Sequence, residues 1–337
     1  MMPLVPERVL ISGGRPGGGL ASYARALRAG FAALGIPAEV VPPQRILSRW
    51  RDLRNPAVLK ILSTTAVLAA PLARRSICVA HGFPRADVQG WIKLLGILAS
   101  YKLASCSSQL IAVSHYVAVH LRTIFNLRVE AVIHNPLHSM FLKREHEVPH
   151  LRNYITYVGR LHPCKRLDRI FPAICALVEE TPNLRACIIG DGELRDALEV
   201  SARGNPRIEF KGVLAASQVR AWLRRTRIFV SGCETEALGI AYLEALSQGC
   251  VVAMPACGGG LEIAPEQIGK SICLLPLPLE LGEVLSALRQ ALSQQGFAMS
   301  LAAYDAAQVA RNYLKVDRRG SVPFAANQDA VIQEVVR

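Results

Sequence analysis

Long apolar runs are missing from this 337-residue sequence. No stretch reaches the roughly 18 residues that a membrane-spanning helix needs. Nor does the N-terminus read as a signal peptide, because Glu7 and Arg8 interrupt it and no apolar stretch precedes a small-residue cleavage site. The nine cysteines include no C-x-x-C pair, their number is odd, and most lie in apolar runs such as RACIIG and SICLLP. That pattern reads as buried, reduced thiols of a cytosolic chain, against a zinc site or a disulfide framework. His134 and His138 are four apart, but Pro136 between them breaks the helix that would align them. No D-x-D pair occurs, so a metal-held diphosphate is disfavoured and no metal is expected. Aromatic residues are only 6% and no nucleic-acid recognition motif is present, so nucleic acid is not an expected partner. Low-complexity tracts and short repeats are also missing.

Basic residues, by contrast, are plentiful. Lys plus Arg (39) less Asp plus Glu (26) leaves +13. Such an excess suits an anionic partner: a phosphate-bearing substrate, an acidic membrane surface or nucleic acid. Arg45, Arg49, Arg51, Arg54, Lys60, Arg74 and Arg75 make the first half notably cationic, interleaved with apolar stretches such as VLKILSTTAVLAAPLA. The length accommodates two domains, and 51% apolar residues suffice for sizeable cores.

The first segment reads as strand, glycine turn and helix: ERVLIS, GGRPGGG (13–19), then LASYARALRAGFAALG. Leu20, Tyr23, Ala24, Leu27 and Phe31 recur at helical spacing. AEVVPP, SICVAHG, SQLIAVS and RVEAVIHN read as further strands separated by helical stretches. The alternation restarts at YITYVGR. A helix over 167–180, RACIIGDG, a helix over 193–202, IEFKGVL, the helix SQVRAWLRRT, IFVSGC, a helix over 241–247 and VVAMPA follow. Two doubly wound α/β units are therefore expected: residues 1–150 and 151–300, with a helical tail over 301–337 crossing back to the first, and a seam in KREHEVPHLRN (143–153). Tandem units of this kind are expected to face each other across a cleft, with ligands at the carboxyl ends of their strands.

Four motifs fall at such strand ends. In GGRPGGG, Gly17, Gly18 and Gly19 let backbone N–H groups approach a ligand, and the following helix N-terminus favours phosphate; the spacing is neither G-x-G-x-x-G nor a P-loop. In VGRLHPCKR (158–166), Arg160 and Lys165 supply two cations suited to a diphosphate. In GDGEL (190–194), Gly190 makes a tight turn, and Asp191 is as suited to capping a helix as to touching a ligand. In ETEALGIAYLEALSQGC (234–250), Glu236 sits in a loop and Glu244 about one turn into a helix. The N–H groups of Leu238, Gly239 and Ile240 lie between them, at the helix start. Two carboxylates so placed can hold hydroxyls of one polyol ligand. Alternatively, Glu236 merely favours the helix dipole and Glu244 is solvated.

Taken as a set, the glycine turn, R-x4-K, strand-end G-D-G and E-x7-E resemble the family-4 glycosyltransferases, retaining enzymes of the GT-B fold. The strongest matches are VGRLHPCKRLDRI, IIGDGELRDALE and SGCETEALGIAYLEALSQGCVVA, and the resemblance runs from about residue 8 to 290. It implies an acceptor-binding first domain and a nucleotide-sugar-binding second domain. Gly17 to Gly19 would face the diphosphate and acceptor, and Arg160 and Lys165 would neutralise the diphosphate as it leaves. Glu236 would bind the transferred sugar and Glu244 the ribose. Lys211, Gly212 and Val213 would offer backbone groups near the base, and His81, in VAHGFP, would lie near the reacting face of the sugar. The family usually has Gly-Phe-Gly where this chain has Ala237-Leu238-Gly239, often Glu at Cys164, and commonly Gly at Arg166.

The activity implied is metal-independent transfer of a sugar from a UDP-, GDP- or ADP-sugar donor to a glycan or lipid-linked glycan, of the lipopolysaccharide-synthesis kind, without a further cofactor. A cytoplasmic location is expected, with the cationic segment 45–75 and residues 91–103 against an anionic inner-membrane surface. Two alternatives stay open: a nucleotide-sugar epimerase on the same fold, and a non-catalytic nucleotide-sugar-binding protein.

Overall fold

The computed structural model describes residues 5–13, 19–84, 90–142, 152–296 and 299–319. They form two α/β units. The first comprises the described residues within Met1–Gly14, Leu27–His134 and Val309–Arg337; the second comprises those within Arg15–Ala26 and Asn135–Gln308.

In the first unit six parallel strands lie in the order β2-β1-β3-β4-β5-β6. They are β1 (Arg8–Ser12), β2 (Ala38–Val41), β3 (Val58–Ser63), β4 (Ser76–Ala80), β5 (Gln109–Ala112) and β6 (Ala131–Val132). Every residue of β3 is buried, as expected of an internal strand covered on both faces. This strand is one that periodicity misses: VLKILS has no polar alternation, and Lys60 in its middle argues against a core position. The ammonium of Lys60 is nevertheless fully enclosed and donates to the Asn55 carbonyl at 2.7 Å. Burial pushes it down to about 8, and the Arg75 charge beside it acts in the same direction.

Arg75 is buried as well. Its guanidinium forks onto Asp317, Nε to Oδ1 at 2.9 Å and Nη2 to Oδ2 at 2.5 Å, with both side chains about 5% exposed. Asp317 belongs to the helix Ala306–Arg319, and Gln109 Nε2 also donates to the Val316 carbonyl at 3.1 Å. The C-terminal helix is thus held on the first unit from Val309 onward, while Leu301 and Tyr304 remain in the core of the second.

The second unit has β7 (Tyr154–Val158), β8 (Arg185–Ile189), β9 (Ile208–Gly212), β10 (Thr226–Val230), β11 (Val251–Pro255) and β12 (Ile272–Leu275). All are parallel, in the order β12-β11-β10-β7-β8-β9. The four-residue β12 is the other strand absent from the periodicity. Side chains alternate across the sheet: Ile155, Tyr157, Ile188, Ile228 and Val230 pack with Ile170, Phe171 and Ile174 on one face. Tyr154, Ile189, Phe229 and Met254 pack with Tyr242, Leu243 and Leu246 on the other.

The seam falls after His134, earlier than the expected 143–153, because Leu137 and Phe141 insert into the second core and Leu137 N donates to the Tyr304 carbonyl at 2.8 Å. The expectation of buried cysteines holds for Cys78, Cys187, Cys233, Cys250 and Cys273, but Cys106 is exposed. Among the described residues no helix is long and apolar enough to cross a membrane.

Truncating Arg75 leaves the Asp317 carboxylate buried without a partner, so Arg75→Ala is expected to destabilise the first unit by about 3–5 kcal/mol. Chemical denaturation checks this, with Arg289→Ala, which breaks only the exposed pair with Glu180, as the control that shifts the midpoint little.

Candidate functional site

The strand order of the second unit reverses between β7 and β10, since β8 and β9 run outward from β7 and β11 and β12 run outward from β10. At such a switch point two successive loops leave neighbouring strand ends in opposite directions, and the crevice outside them is where doubly wound sheets take ligands. The loop after β7 carries Arg160, Lys165 and Arg166; the loop after β10 carries Cys233, Glu234 and Glu236.

The two loops are drawn together by close backbone approach. A Cβ on Gly232 would lie 2.6 Å from the Arg166 carbonyl oxygen, so only glycine fits there. Tyr157, an inward residue of β7, donates from its hydroxyl to the Arg160 carbonyl at 2.9 Å. His162 Nδ1 accepts from Cys164 N at 3.1 Å and caps the short 3-10 turn Pro163–Lys165. The Glu236 carbonyl accepts from Gly259 N at 2.8 Å, which ties this loop to the one after β11.

Lys165 and Glu236 meet as a result: Nζ to Oε2 is 2.6 Å, with about a quarter of each side chain exposed. Burial by itself would pull the Lys165 ammonium down, but the adjacent Glu236 carboxylate outweighs it and holds the group above its ordinary value. The Cys233 thiol lies 3.8 Å from Nζ, and burial raises its pKa. Among the described residues Glu236 Oε1 has no hydrogen-bond partner, which leaves one oxygen for a ligand hydroxyl.

Gly239, with φ of 86°, opens the helix Ile240–Ser247; a Cβ there would strike the Tyr242 ring at 2.4 Å. Tyr242 N and Leu243 N donate to the Gly239 carbonyl at 2.9 and 3.3 Å, which leaves Ile240 N and Ala241 N as the N–H groups of this helix without an intrahelical acceptor. Leu238 itself is buried in the core. Glu244 does not turn to solvent: desolvation pushes its carboxyl up to about 8, and no described cation pairs with it. A half-buried carboxyl without a partner is suited to accept, or when protonated to donate, a hydrogen bond to a polyol.

The remaining expected residues are placed as follows. Gly190, with φ of 133°, lies where a Cβ would sit 1.8 Å from the Gly159 carbonyl oxygen, so its glycine is required for packing β8 against β7 at their ends. Gly190 N donates to the Gly212 carbonyl at 2.8 Å. Lys211 turns its ammonium to Glu209 at 2.6 Å and to the Trp222 ring, and Val213 is exposed. Arg160 is exposed and forms no ion pair among the described residues. His81 is partly buried after β4 in the first unit. Gly17 and Gly18 lie outside the described residues, and Gly19 begins the helix Gly19–Ala33. Among the described residues no group of three or more His, Cys, Asp or Glu side chains could hold a metal ion. Sequence reading overlooked Tyr157, Cys233 and Glu234: the first two sit in apolar segments with no chemical signal, and Glu234 lies outside the E-x7-E spacing.

Glu244 also makes stability depend on pH. Its folded form keeps a proton to about pH 8, against an ordinary 4.5. The folded state therefore binds the extra proton in that window, and the contribution of this group falls as pH rises through it. Glu244→Gln is expected to leave the ligand-free melting temperature unchanged near pH 5 and to raise it by about 2–4 °C at pH 8.5. Equal shifts at both pH values in a thermal melt would refute this.

Residues 152–293 match the family model described as glycosyl transferases group 1. Sulfoquinovosyl transferase SQD2 of Arabidopsis thaliana is 30% identical over 172 residues, covering 50% of this chain and 32% of that protein. A phosphatidylinositol N-acetylglucosaminyltransferase subunit of Homo sapiens is 31% identical over 151 residues, covering 44% and 31%. The chain spans about a third of the length of these curated relatives. Among solved structures, Anabaena HepE, crystallised with UDP and glucose, superposes with a TM-score of 0.66 at 15% identity over 98% of this chain and 99% of that one. WaaG, a glycosyltransferase of lipopolysaccharide biosynthesis, does so with 0.67 at 16% identity over 93% and 100%. The chain thus has the fold of the GT-B glycosyltransferases, and the segment 152–293, which holds the Lys165–Glu236 pair, is matched by the glycosyl transferases group 1.

Proposed function

We propose that this protein is a retaining glycosyltransferase that moves a sugar from a nucleoside-diphosphate donor to a hydroxyl of a glycan or lipid-linked acceptor. The observation that carries the reading is the Lys165–Glu236 contact at the β7/β10 switch point, inside the segment matched by the family model. The names of the relatives support a nucleotide-sugar donor, and the WaaG likeness favours a place in cell-surface glycan synthesis.

In the reaction the bond from the anomeric carbon to the phosphate oxygen breaks and a bond to the acceptor oxygen forms. The acceptor proton passes to a phosphate oxygen of the leaving nucleoside diphosphate, so no enzymic nucleophile is required. Negative charge grows on the diphosphate. Lys165 and Arg160, aided by the free N–H groups at the start of Ile240–Ser247, are the groups that stabilise it. Glu236, oriented through Oε2 by Lys165, offers Oε1 to sugar hydroxyls, and Glu244 takes the ribose. Positioning by these carboxyls lowers the barrier by fixing the reacting atoms.

A membrane-facing role for the first unit is part of the same reading. Leu47, Trp50, Leu68, Leu72 and Leu95 are each more than half exposed, and Arg45, Arg51, Arg54, Arg74 and Lys102 are exposed on the same segments. The Arg51 guanidinium lies over the Trp50 ring at 5.4 Å. Lys60 and Arg75, counted in the cationic stretch, are buried and take no part. Apolar tips ringed by arginines suit the interface of an anionic bilayer.

Lys165→Ala is expected to lower turnover at least about a hundredfold with the circular dichroism spectrum preserved; full activity would refute the role. A donor incubated without acceptor is expected to stay intact; a new nucleotide sugar would identify an epimerase instead. Sedimentation with vesicles is expected to rise with anionic lipid content and to fall for Trp50→Ala combined with Arg51→Ala. Binding insensitive to either would remove the membrane role.

A further inference from the structure

Arg166 occupies a backbone conformation that suits glycine. Its φ of 52° and ψ of 27° lie in the left-handed region, between the 3-10 turn Pro163–Lys165 and the helix Leu167–Glu180. Side chains rarely adopt this conformation without a local reason. Four other described non-glycine residues have positive φ: Asn126 and Asn183 are of the type that tolerates it, Arg203 lies in the turn after a helix, before Gly204, and Thr64 directly follows β3. Arg166 both ends the 3-10 turn Pro163–Lys165 and precedes the helix Leu167–Glu180. Its backbone is held there, because Gly232 is pressed against its carbonyl so closely that even a Cβ on that glycine would clash.

The contacts of the arginine side chain do not account for its presence. Its Nε lies 3.5 Å from Glu234 Oε1, with the two side chains 42% and 37% exposed. An ion pair so long and so exposed contributes little to stability. Side by side with it runs the shorter, more enclosed Lys165–Glu236 pair. The two pairs join the same two loops across the β7/β10 switch point. In the inner pair the cation is bound to its carboxylate; in the outer pair the guanidinium is loosely held and keeps most of its donors free. A strained residue that the unliganded protein does not need is an indication of function.

We propose that Arg166 is an anion-capturing residue of this site, whose guanidinium leaves Glu234 to fork onto a phosphate of the bound nucleoside diphosphate. The inference rests on the nucleotide-sugar reading above. A planar fork matches the geometry of phosphate oxygens, which a point charge such as Lys165 does not. Glu234 then acts as a resting partner that keeps the guanidinium at the mouth of the crevice until the ligand arrives, and Lys165 remains free to steady Glu236 against the sugar.

The test titrates UDP, GDP and ADP, the corresponding nucleosides, and inorganic pyrophosphate into the full chain by calorimetry, with melting temperatures measured in parallel. Arg166→Gly and Arg166→Asn both accept the left-handed backbone, so one serves if the other fails to fold. Each is expected to hold or raise the ligand-free melting temperature, to weaken diphosphate binding roughly tenfold to hundredfold, and to leave nucleoside binding unchanged. Arg166→Lys is expected to keep only part of the affinity. Glu234→Gln is expected to bind the diphosphate at least as tightly as the wild type, and to have no such effect in the Arg166→Gly background. Wild-type affinity for the diphosphate in both Arg166 variants overturns the proposal while the broader reading stands. A lowered melting temperature with equal losses for nucleoside and diphosphate makes the residue structural and also overturns it. Failure of the wild type to bind any of the three nucleotides overturns the glycosyltransferase reading, and this proposal with it.

Discussion

The contact between Lys165 and Glu236 is the interaction on which the arrangement of the second unit's switch point depends. Two charges 2.6 Å apart and mostly withdrawn from water attract far more strongly than they would on the surface, but only if the backbone delivers them there. Delivery is the work of uncharged groups. The Tyr157 hydroxyl fixes the chain at Arg160, Gly232 lets the β10 loop lie against Arg166, and Gly190 lets β8 end against Gly159. A side chain at Gly232 would strike the Arg166 carbonyl, and one at Gly190 the Gly159 carbonyl. The charges of this site and the steric permission for them to meet are therefore properties of different residues, and the second set is invisible to any argument from charge.

Three physical situations recur among the described charges of this chain. Some are enclosed and paired, as Arg75 with Asp317 and Lys165 with Glu236, where losing one partner strands the other. Some are withdrawn from water without an ion-pair partner: Glu244, half-buried, is raised by desolvation, and Lys60, fully buried, is lowered by burial and by Arg75. Others are exposed, among them Arg160, Arg45, Arg51 and Arg54. Net charge treats all three alike. The +13 of the sequence thus overstates what a membrane or ligand can meet, since two of the seven cations of the basic stretch are interior. Lys60 sits in a strand buried on both faces because a backbone carbonyl, that of Asn55, is available to its ammonium.

Enclosure also changes what a carboxylate is for. Glu236 and Glu244 stand eight residues apart on one loop and helix, yet they occupy opposite electrostatic situations. The first is fixed by a cation and presents one remaining oxygen; the second is half-buried and has no described counter-charge. A bound ligand that brings hydroxyls to both would find one acceptor already oriented and another whose affinity for protons is itself a reserve of binding energy.

Local pattern determined a good deal. The alternation of strands and helices, the helix over 167–180, the glycine turn at the end of β8, the two cations of R-x4-K and the two acids of E-x7-E were all legible, because each rests on spacing along the chain. Strands β3 and β12 were not, because a uniformly apolar run carries no period and a four-residue strand carries too little of one. The seam after His134 was not, since it depends on which core Leu137 and Phe141 enter. Nor was the left-handed backbone at Arg166, or the meeting of Lys165 with Glu236 across 71 residues. Sequence sets the chemistry each loop can offer. Only the strand order β7 beside β10, a long-range pairing set by both faces of the sheet, decides which of those loops end up within hydrogen-bond reach of each other.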